Sequence, residues 1–344
     1  MSTTMHRRRT RGARLVAAVG ALALGVTMTA CSSDNGSNDD ASTPATDSSE
    51  SSGEWPRTVE TADGPVTLDA QPERIVSTSV TLTGTLLALD APLYGTAAQP
   101  PSTVTDGDGL FTQWADVAAE RDVEVLYQGE PNLEAITAAA PDLIVVSSSG
   151  ADSTLDQVQL LSQIAPTLVY DYSDKSWQDL TTQMAEAVGA EDRAAELLEE
   201  FDSKVDEAKN TIAPALAEDN TVSILTYNSP EDSRIFTDES AQGRLATRLG
   251  FEIASVPETA GAAAAGRSDI IAVATENLPL ALTGGTTFII NALPEDADRL
   301  KTDPTLANTK SVQNDAVHAL GYDSFRLDYY SANNVVDRIV DALG

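Results

Sequence analysis

The sequence predicts an α/β protein built as two Rossmann-like lobes joined by a single long helix. Three observations carry that prediction. From Trp55 onward short β-branched runs alternate with amphipathic segments, the alternation occurs twice, and one long helical pattern separates the two rounds. With 344 residues, 42% of them hydrophobic, the chain is long enough for two cores. It divides into a leader, 1–30; a spacer, 31–54; a first lobe, 55–174; a connecting helical segment, 175–217; and a second lobe, 218–344.

The leader has the three parts of an export signal: a basic stretch HRRRTRGAR, a 15-residue apolar run from Leu15 to Thr29, and small residues before a cysteine. Fifteen residues are too few to span a bilayer comfortably. The end of that run, Met28-Thr-Ala-Cys31, resembles a bacterial lipobox, which makes Cys31 a candidate lipidation site and the first residue of the mature chain. Met28 stands where such motifs usually have Leu, so an ordinary signal peptide that happens to contain a cysteine is the alternative. Residues 32–54 are mostly Ser, Asp, Asn, Gly, Thr and Glu with no apolar run, a composition that cannot offset the entropy of ordering. A chain of that length reaches a few nanometres. A lipid and a spacer would hold the folded part near the outer face of the cytoplasmic membrane.

In the first lobe the expected strands are Arg74–Ser77, Pro92–Gly95, Glu124–Tyr127, Asp142–Val146 and Thr167–Tyr170. Helices are expected at Thr81–Leu89, Thr112–Ala119, Leu133–Ala139 and Leu155–Ile164. Pro131-Asn132 opens the third of these, and Pro141 stops it before the next strand. Strands apolar on both faces and separated by helices argue for a parallel sheet covered on both sides. The connecting segment reads as a helix Trp177–Val188 ended by Gly189. A second helix follows, with Ala194, Leu197, Leu198, Phe201, Val205, Ala208 and Ile212 at helical spacing to about Ala217. That helix would be about 40 Å long, with Pro214 weakening its last turn. Alternation resumes with Val222–Tyr227, Ala241–Leu249, Phe251–Val256, Thr275–Leu282, Thr286–Ile290, Ala316–Leu320 and a closing helix from Arg326 to Leu343. Gly261–Gly266 reads as a loop.

Charge and residue inventory exclude whole classes of function. Lys+Arg 21 against Asp+Glu 53 gives −32; without the five leader arginines the balance is 16 against 53, or −37. Such a surface repels phosphate backbones and anionic headgroups, so no nucleic-acid partner is expected. Two histidines and one cysteine are too few for a zinc or bare transition-metal site, and no disulfide can form within the chain. Asp106-Gly-Asp108-Gly is the best carboxylate candidate for calcium, but it lacks the remaining ligands of an EF-hand and reads as an ordinary turn. No catalytic residue and no protein metal ligand is therefore expected. Two lobes across a cleft suit a solute receptor better than an enzyme.

Several stretches carry a family likeness: PERIVSTSVTLTGTLLALDAP, YQGEPNLEAI, PDLIVVS, IAPTLVYDYSDKSWQDL, DESAQGRLATRLGF, SDIIAVATENLPLAL and SFRLDYYSANNVVDRI. From about Trp55 to the C-terminus these resemble, in the same order, the substrate-binding lipoproteins of iron–siderophore ABC importers, with the ferric enterobactin-binding branch nearest. The resemblance implies the class III, helical-backbone periplasmic binding protein fold, little hinge motion, a monomer, and delivery of a ferric siderophore to an ABC permease and its ATPase. It also implies no intrinsic cofactor. In an enterobactin-type chelate the iron is already saturated by catecholate oxygens, so the protein needs cations and aromatic faces instead of ligands of its own.

Arg326 is the first candidate for that role, as the residue opening the last helix within FRLDYYS; an ion pair to Asp323 or Asp328 is the competing reading. Arg267, after the Gly/Ala loop, is the second, unless it is simply solvated. Phe236 stands where enterobactin-type members have an aromatic before ESAQG, and core packing would explain it as well. Thr78 and Ser79 end the first strand where α/β sheets bind ligands, or cap the following helix. One departure stands out: Thr103 occupies the place of a basic residue, and Gln99–Thr105 carries no positive charge, which leaves room for a less charged chelate. Family docking glutamates map onto Glu134 in PNLEAI and Glu276 in ATENLPLAL, although acids early in helices are also favoured by the dipole.

Two rival readings remain at this level. A Ser-His-Asp hydrolase would need His318, but there is no G-x-S-x-G elbow and His318 lies inside the strand Ala316–Leu320. A haem or cobalamin receptor would share the fold without needing the cations.

Overall fold

A computed structural model of the protein describes residues 55–227, 233–264 and 266–344. The leader, the spacer and Cys31 lie outside the described residues. Among the described residues no helix is long and apolar enough to cross a membrane.

A short antiparallel hairpin, β1 (Arg57–Val59) and β2 (Val66–Leu68), precedes the first lobe and was not foreseen in the sequence. The lobe then runs β3 (Ile75–Ser77), α1 (Val80–Ala88), β4 (Leu93–Ala98), α2 (Ala115–Glu120), β5 (Glu124–Gln128), α3 (Leu133–Ala138), β6 (Leu143–Ser147), α4 (Val158–Leu161) and β7 (Thr167–Tyr170). Its five strands are all parallel, in the order β5-β4-β3-β6-β7. Alternate residues of one strand feed opposite cores, as the pleat requires. In β6, Leu143 and Val145 pack with Leu86, Trp114 and Leu180, whereas Ile144 and Val146 pack with Ile136, Val158 and Leu161. Both faces are covered, which is why the strands read as unbroken apolar runs. Asn132 caps α3 by accepting from Ala135 N at 3.1 Å, as the Pro-Asn opening predicts. The expected helix Leu155–Ile164 is a 3₁₀ turn, Leu155–Gln157, leading into the single turn α4.

Two helices follow. In α5 (Trp177–Val188) the cap is Ser176 and the left-handed stop is Gly189, φ 71°. The long helix, α6 (Glu191–Ile212), has 22 residues, about 33 Å; it ends at Ile212, two residues before Pro214. Its apolar stripe serves both cores in turn. Ala194 and Leu197 join the first lobe, and Phe201, Val205, Ala208 and Ile212 join the second. One rigid element is therefore common to both.

The second lobe contains β8 (Thr221–Thr226), β9 (Ser233–Phe236), α7 (Ala241–Arg248), β10 (Glu252–Ile253), β11 (Ala262–Ala263), β12 (Ile270–Val273), α8 (Leu278–Ala281), β13 (Thr286–Ile289), α9 (Pro294–Thr302), α10 (Lys310–Gln313), β14 (Val317–Ala319) and α11 (Tyr329–Leu343). The sheet is mixed, in the order β11-β12-β9-β8-β13-β14, with β8, β13 and β14 parallel and β9, β11 and β12 antiparallel. Two expectations are corrected here. Ala262 and Ala263 form an edge strand paired with β12 where a loop was expected, because backbone pairing alone suffices at an edge. The last helix starts at Tyr329 and not at Arg326: Asp328 takes the cap, accepting from Ser331 N at 2.7 Å while Ser331 Oγ accepts from Asp328 N at 2.8 Å.

Candidate functional site

In a doubly wound sheet, ligands bind beyond the carboxyl ends of the strands, where the connections diverge to either side. In the first lobe that point lies between β3 and β6, since β3 leads to β4 on one side and β6 leads to β7 on the other. The segments leaving those strands are Thr78-Ser79 and Ser148–Thr154. Both expected residues there are buried. Thr78 Oγ1 donates to Val145 O at 3.1 Å and lies 2.6 Å from Thr154 Oγ1; Ser79 accepts from Leu82 N as the cap of α1 and donates to Asp152 Oδ2 at 2.6 Å. Their hydroxyls are committed to partners within the first lobe.

Arg326 is half-buried on the loop before α11. The guanidinium reaches across to the first lobe, where Nη1 donates to Thr81 Oγ1 at 3.0 Å and to Tyr172 Oη at 2.9 Å, with Cζ 5.2 Å from the Tyr172 ring centroid. Neither acidic neighbour takes it. Asp323 is bound to Arg338 at 2.6 Å and to Asn334 at 2.8 Å, and Asp328 is spent on its cap and on Gln113 Nε2 at 3.2 Å. Burial pushes the Asp328 carboxyl up, against the hydrogen bonds from Ser331 and Gln113. Because Asp328 caps the helix, Arg326 is also spared the dipole conflict expected of a cation in the first turn.

The aromatic partner is a pair. Phe236 is 4% exposed and packs in a T-shaped arrangement with Phe325, 6.4 Å away at 88°, and Phe325 is 41% exposed. The loop bearing Phe325 and Arg326 is tied down by Gln242 Nε2, which donates to Ser324 O and Phe325 O, both at 2.8 Å. Phe236 is thus the support and Phe325 the accessible ring. Arg267 stands apart: its side chain is 55% exposed and forms a two-point ion pair with Asp269, at 2.9 and 2.6 Å, two residues along its own hairpin. Its charge is already matched.

Thr103 is exposed and lines a cavity of about 800 Å³ with Gln113, Leu293, Lys301, His318, Tyr322 and Arg338. Arg326 is absent from that lining, and the two cations present are paired with Asp315 and Asp323. His318 sits in β14 as expected, and burial chiefly, Lys301 secondly, push its pKa below the usual imidazole range. Asp106 only closes a turn, accepting from Asp108 N and Leu110 N at 2.9 Å each, and no metal-binding group of three His, Cys, Asp or Glu occurs among the described residues. Glu134 is exposed in the first turn of α3, and Glu276 is exposed in a 3₁₀ turn, Thr275–Asn277, ahead of α8.

Sequence reasoning missed Phe325, Tyr172, Thr81 and Asp152. Phe325 and Tyr172 lie within stretches that carry the family likeness, FRLDYYS and YDYSDKSW, but nothing in the chain marks Tyr172 as a partner of Arg326.

Two α/β lobes sharing one long helix, with a cation and an aromatic ring between them, define a two-lobe solute-binding protein. Comparison with known proteins agrees. The family model described as periplasmic binding protein matches residues 75–323, and the chain belongs to that family, one of binding proteins and not of enzymes. It is 44% identical over 289 residues, 83% of this chain and 90% of the relative, to the ferric enterobactin-binding periplasmic protein FepB of Escherichia coli O6:H1. A Bacillus subtilis relative named "Probable siderophore-binding lipoprotein YfiY" is 32% identical over 61% of this chain and 62% of its own. Among solved structures, holo-ViuP superposes with a TM-score of 0.72 at 35% identity, covering 83% of this chain and 94% of that one.

Proposed function

We propose that this protein is the extracytoplasmic substrate-binding component of an ABC importer, capturing a ferric siderophore of the catecholate, enterobactin-like class and delivering it to the membrane permease and its ATPase. The observation that carries the chemistry is Arg326. Among the described residues it has no carboxylate within ion-pair distance, although the chain as a whole is strongly acidic, and it lies between the lobes beside the exposed ring of Phe325. A cation kept free at that place suits an anionic, ring-bearing chelate. The likeness to FepB supports the ligand class. Iron enters as cargo, wrapped by its carrier, and needs no protein ligand. Thr78 and Ser79 contribute the floor of the site and Phe236 the support for Phe325; Arg267 would act only after release from Asp269. Glu134 and Glu276 are the proposed permease contacts, the mature chain is a monomer, and Cys31 carries the lipid that holds it to the outer face of the cytoplasmic membrane.

Titrating intrinsic Trp and Tyr fluorescence with ferric chelates of graded charge tests this reading. Saturable quenching at micromolar concentration or below is expected for tris-catecholates, and much weaker quenching for neutral hydroxamates. Quenching by haem or cobalamin alone would overturn it.

A further inference from the structure

The arginine between the lobes rests on a chain of hydrogen bonds that ends in a half-buried acid, Asp152. A phenol has one proton, and the hydroxyl of Tyr172 gives it to Asp152 Oδ1 at 2.8 Å. Only lone pairs are left on that oxygen, and Arg326 Nη1 uses one of them at 2.9 Å. The hydroxyl is thereby turned into a dedicated acceptor for the guanidinium and has no proton to offer an anion in the cleft. Asp152 is fixed from behind, its Oδ2 accepting from Ser79 Oγ at 2.6 Å and from Thr81 N at 3.0 Å. Burial alone would raise this carboxyl, but the hydrogen bonds from Ser79, Thr81 and Tyr172 outweigh it and hold it below the usual carboxylate range.

Two further features belong to the same arrangement. Asp152 lies at the start of the nine-residue α1, so the positive end of that helix is occupied by the protein's own carboxylate and is closed to a ligand. Gly150 has φ +80°, and a Cβ there would stand 1.6 Å from Tyr172 Oη; the loop admits the phenol only because position 150 has no side chain.

We infer that Asp152 is the positioning residue for Arg326, acting through Tyr172 to fix the direction in which the guanidinium meets an anionic chelate. This rests on the function proposed above and assigns a role to a residue that need not touch the ligand. Two other roles are open to an acid in this place. As a background charge it would repel an anion, and as a structural tie it would act whether or not Arg326 were present.

A double-mutant cycle on the full chain separates these, with the affinity for a ferric tris-catecholate as readout and thermal unfolding as a check on the fold. Asp152→Asn and Tyr172→Phe are each expected to weaken binding about fivefold, and the double variant no more than either alone, because the two act in series. In an Arg326→Ala background, titrated to concentrations that saturate the weakened site, Asp152→Asn is expected to change affinity less than twofold. If Asp152→Asn does not fold, Tyr172→Phe carries the same test, its loss vanishing in the Arg326→Ala background. Tighter binding by Asp152→Asn, or the same loss with and without Arg326, would overturn the inference alone. A wild-type protein that binds no ferric catecholate would overturn the functional reading and this inference with it.

Discussion

Replacing Arg326 by alanine is expected to weaken binding of a ferric tris-catecholate by about 10- to 100-fold while changing affinity for neutral chelates far less. The magnitude follows from what is removed. A guanidinium offers several donors to catecholate oxygens, hydrogen bonds to a charged group contribute about 1.5–3 kcal/mol, and each 1.4 kcal/mol is roughly tenfold in affinity. The effect should depend on ligand charge because Arg326 meets its protein partners through neutral oxygens, those of Thr81 and Tyr172. Removing it therefore strands no buried carboxylate directly. Equal losses for trianionic and neutral chelates would assign Arg326 to packing between the lobes. Isothermal titration with both ligand classes distinguishes the outcomes.

The second large effect concerns stability. Phe201 is 1% exposed and meets the edge of Trp177 at 4.9 Å and 85°, and Trp177 in turn meets Tyr329 at 6.2 Å. It is the first buried residue of α6 in the second core, one turn beyond Leu197, which belongs to the first. Phe201→Ala should cost about 3–5 kcal/mol, the usual range for truncating a buried aromatic. In a folded region of this size that is about 5–8 °C in Tm. Since α6 serves both cores, the loss should appear as one cooperative transition displaced as a whole. Calorimetry showing two separate transitions, or a displacement below about 2 °C, would contradict the shared-strut account.

Much of the first lobe was legible because each strand is an apolar run between turn signals, and both sheet faces bury it. Thr167–Tyr170 was read to the residue, and the other four strands to within a few. The second lobe was harder for a physical reason. In β9, Arg234 interrupts Ser233–Phe236, and β11 is two alanines, so pairing with neighbours and not apolar periodicity makes them strands. Helix ends followed local chemistry wherever a cap was recognised, as at Asn132 and Gly189. They failed at Asp328, where the cap lies two residues beyond the arginine chosen as the start. In the cleft, Arg326 was legible through its motif. Its anchoring was not, because Tyr172 lies 154 positions away and Asp152 a further 20. No spacing in a sequence encodes a contact made only when two lobes meet. Phe236 was singled out as an aromatic, but which of two rings faces solvent is decided by the packing of Phe325 against it.

The central claim is that the protein holds a wrapped metal through cation and ring contacts and does not ligate the metal. Equilibrium dialysis with radioactive iron tests it most directly, with the iron supplied in one arm as a ferric tris-catecholate and in the other as the weak nitrilotriacetate complex. The account predicts stoichiometric retention in the first arm and none in the second, with a gallium tris-catecholate displacing its ferric counterpart at comparable concentration. Retention of iron from nitrilotriacetate, or failure to retain the catecholate, would contradict it.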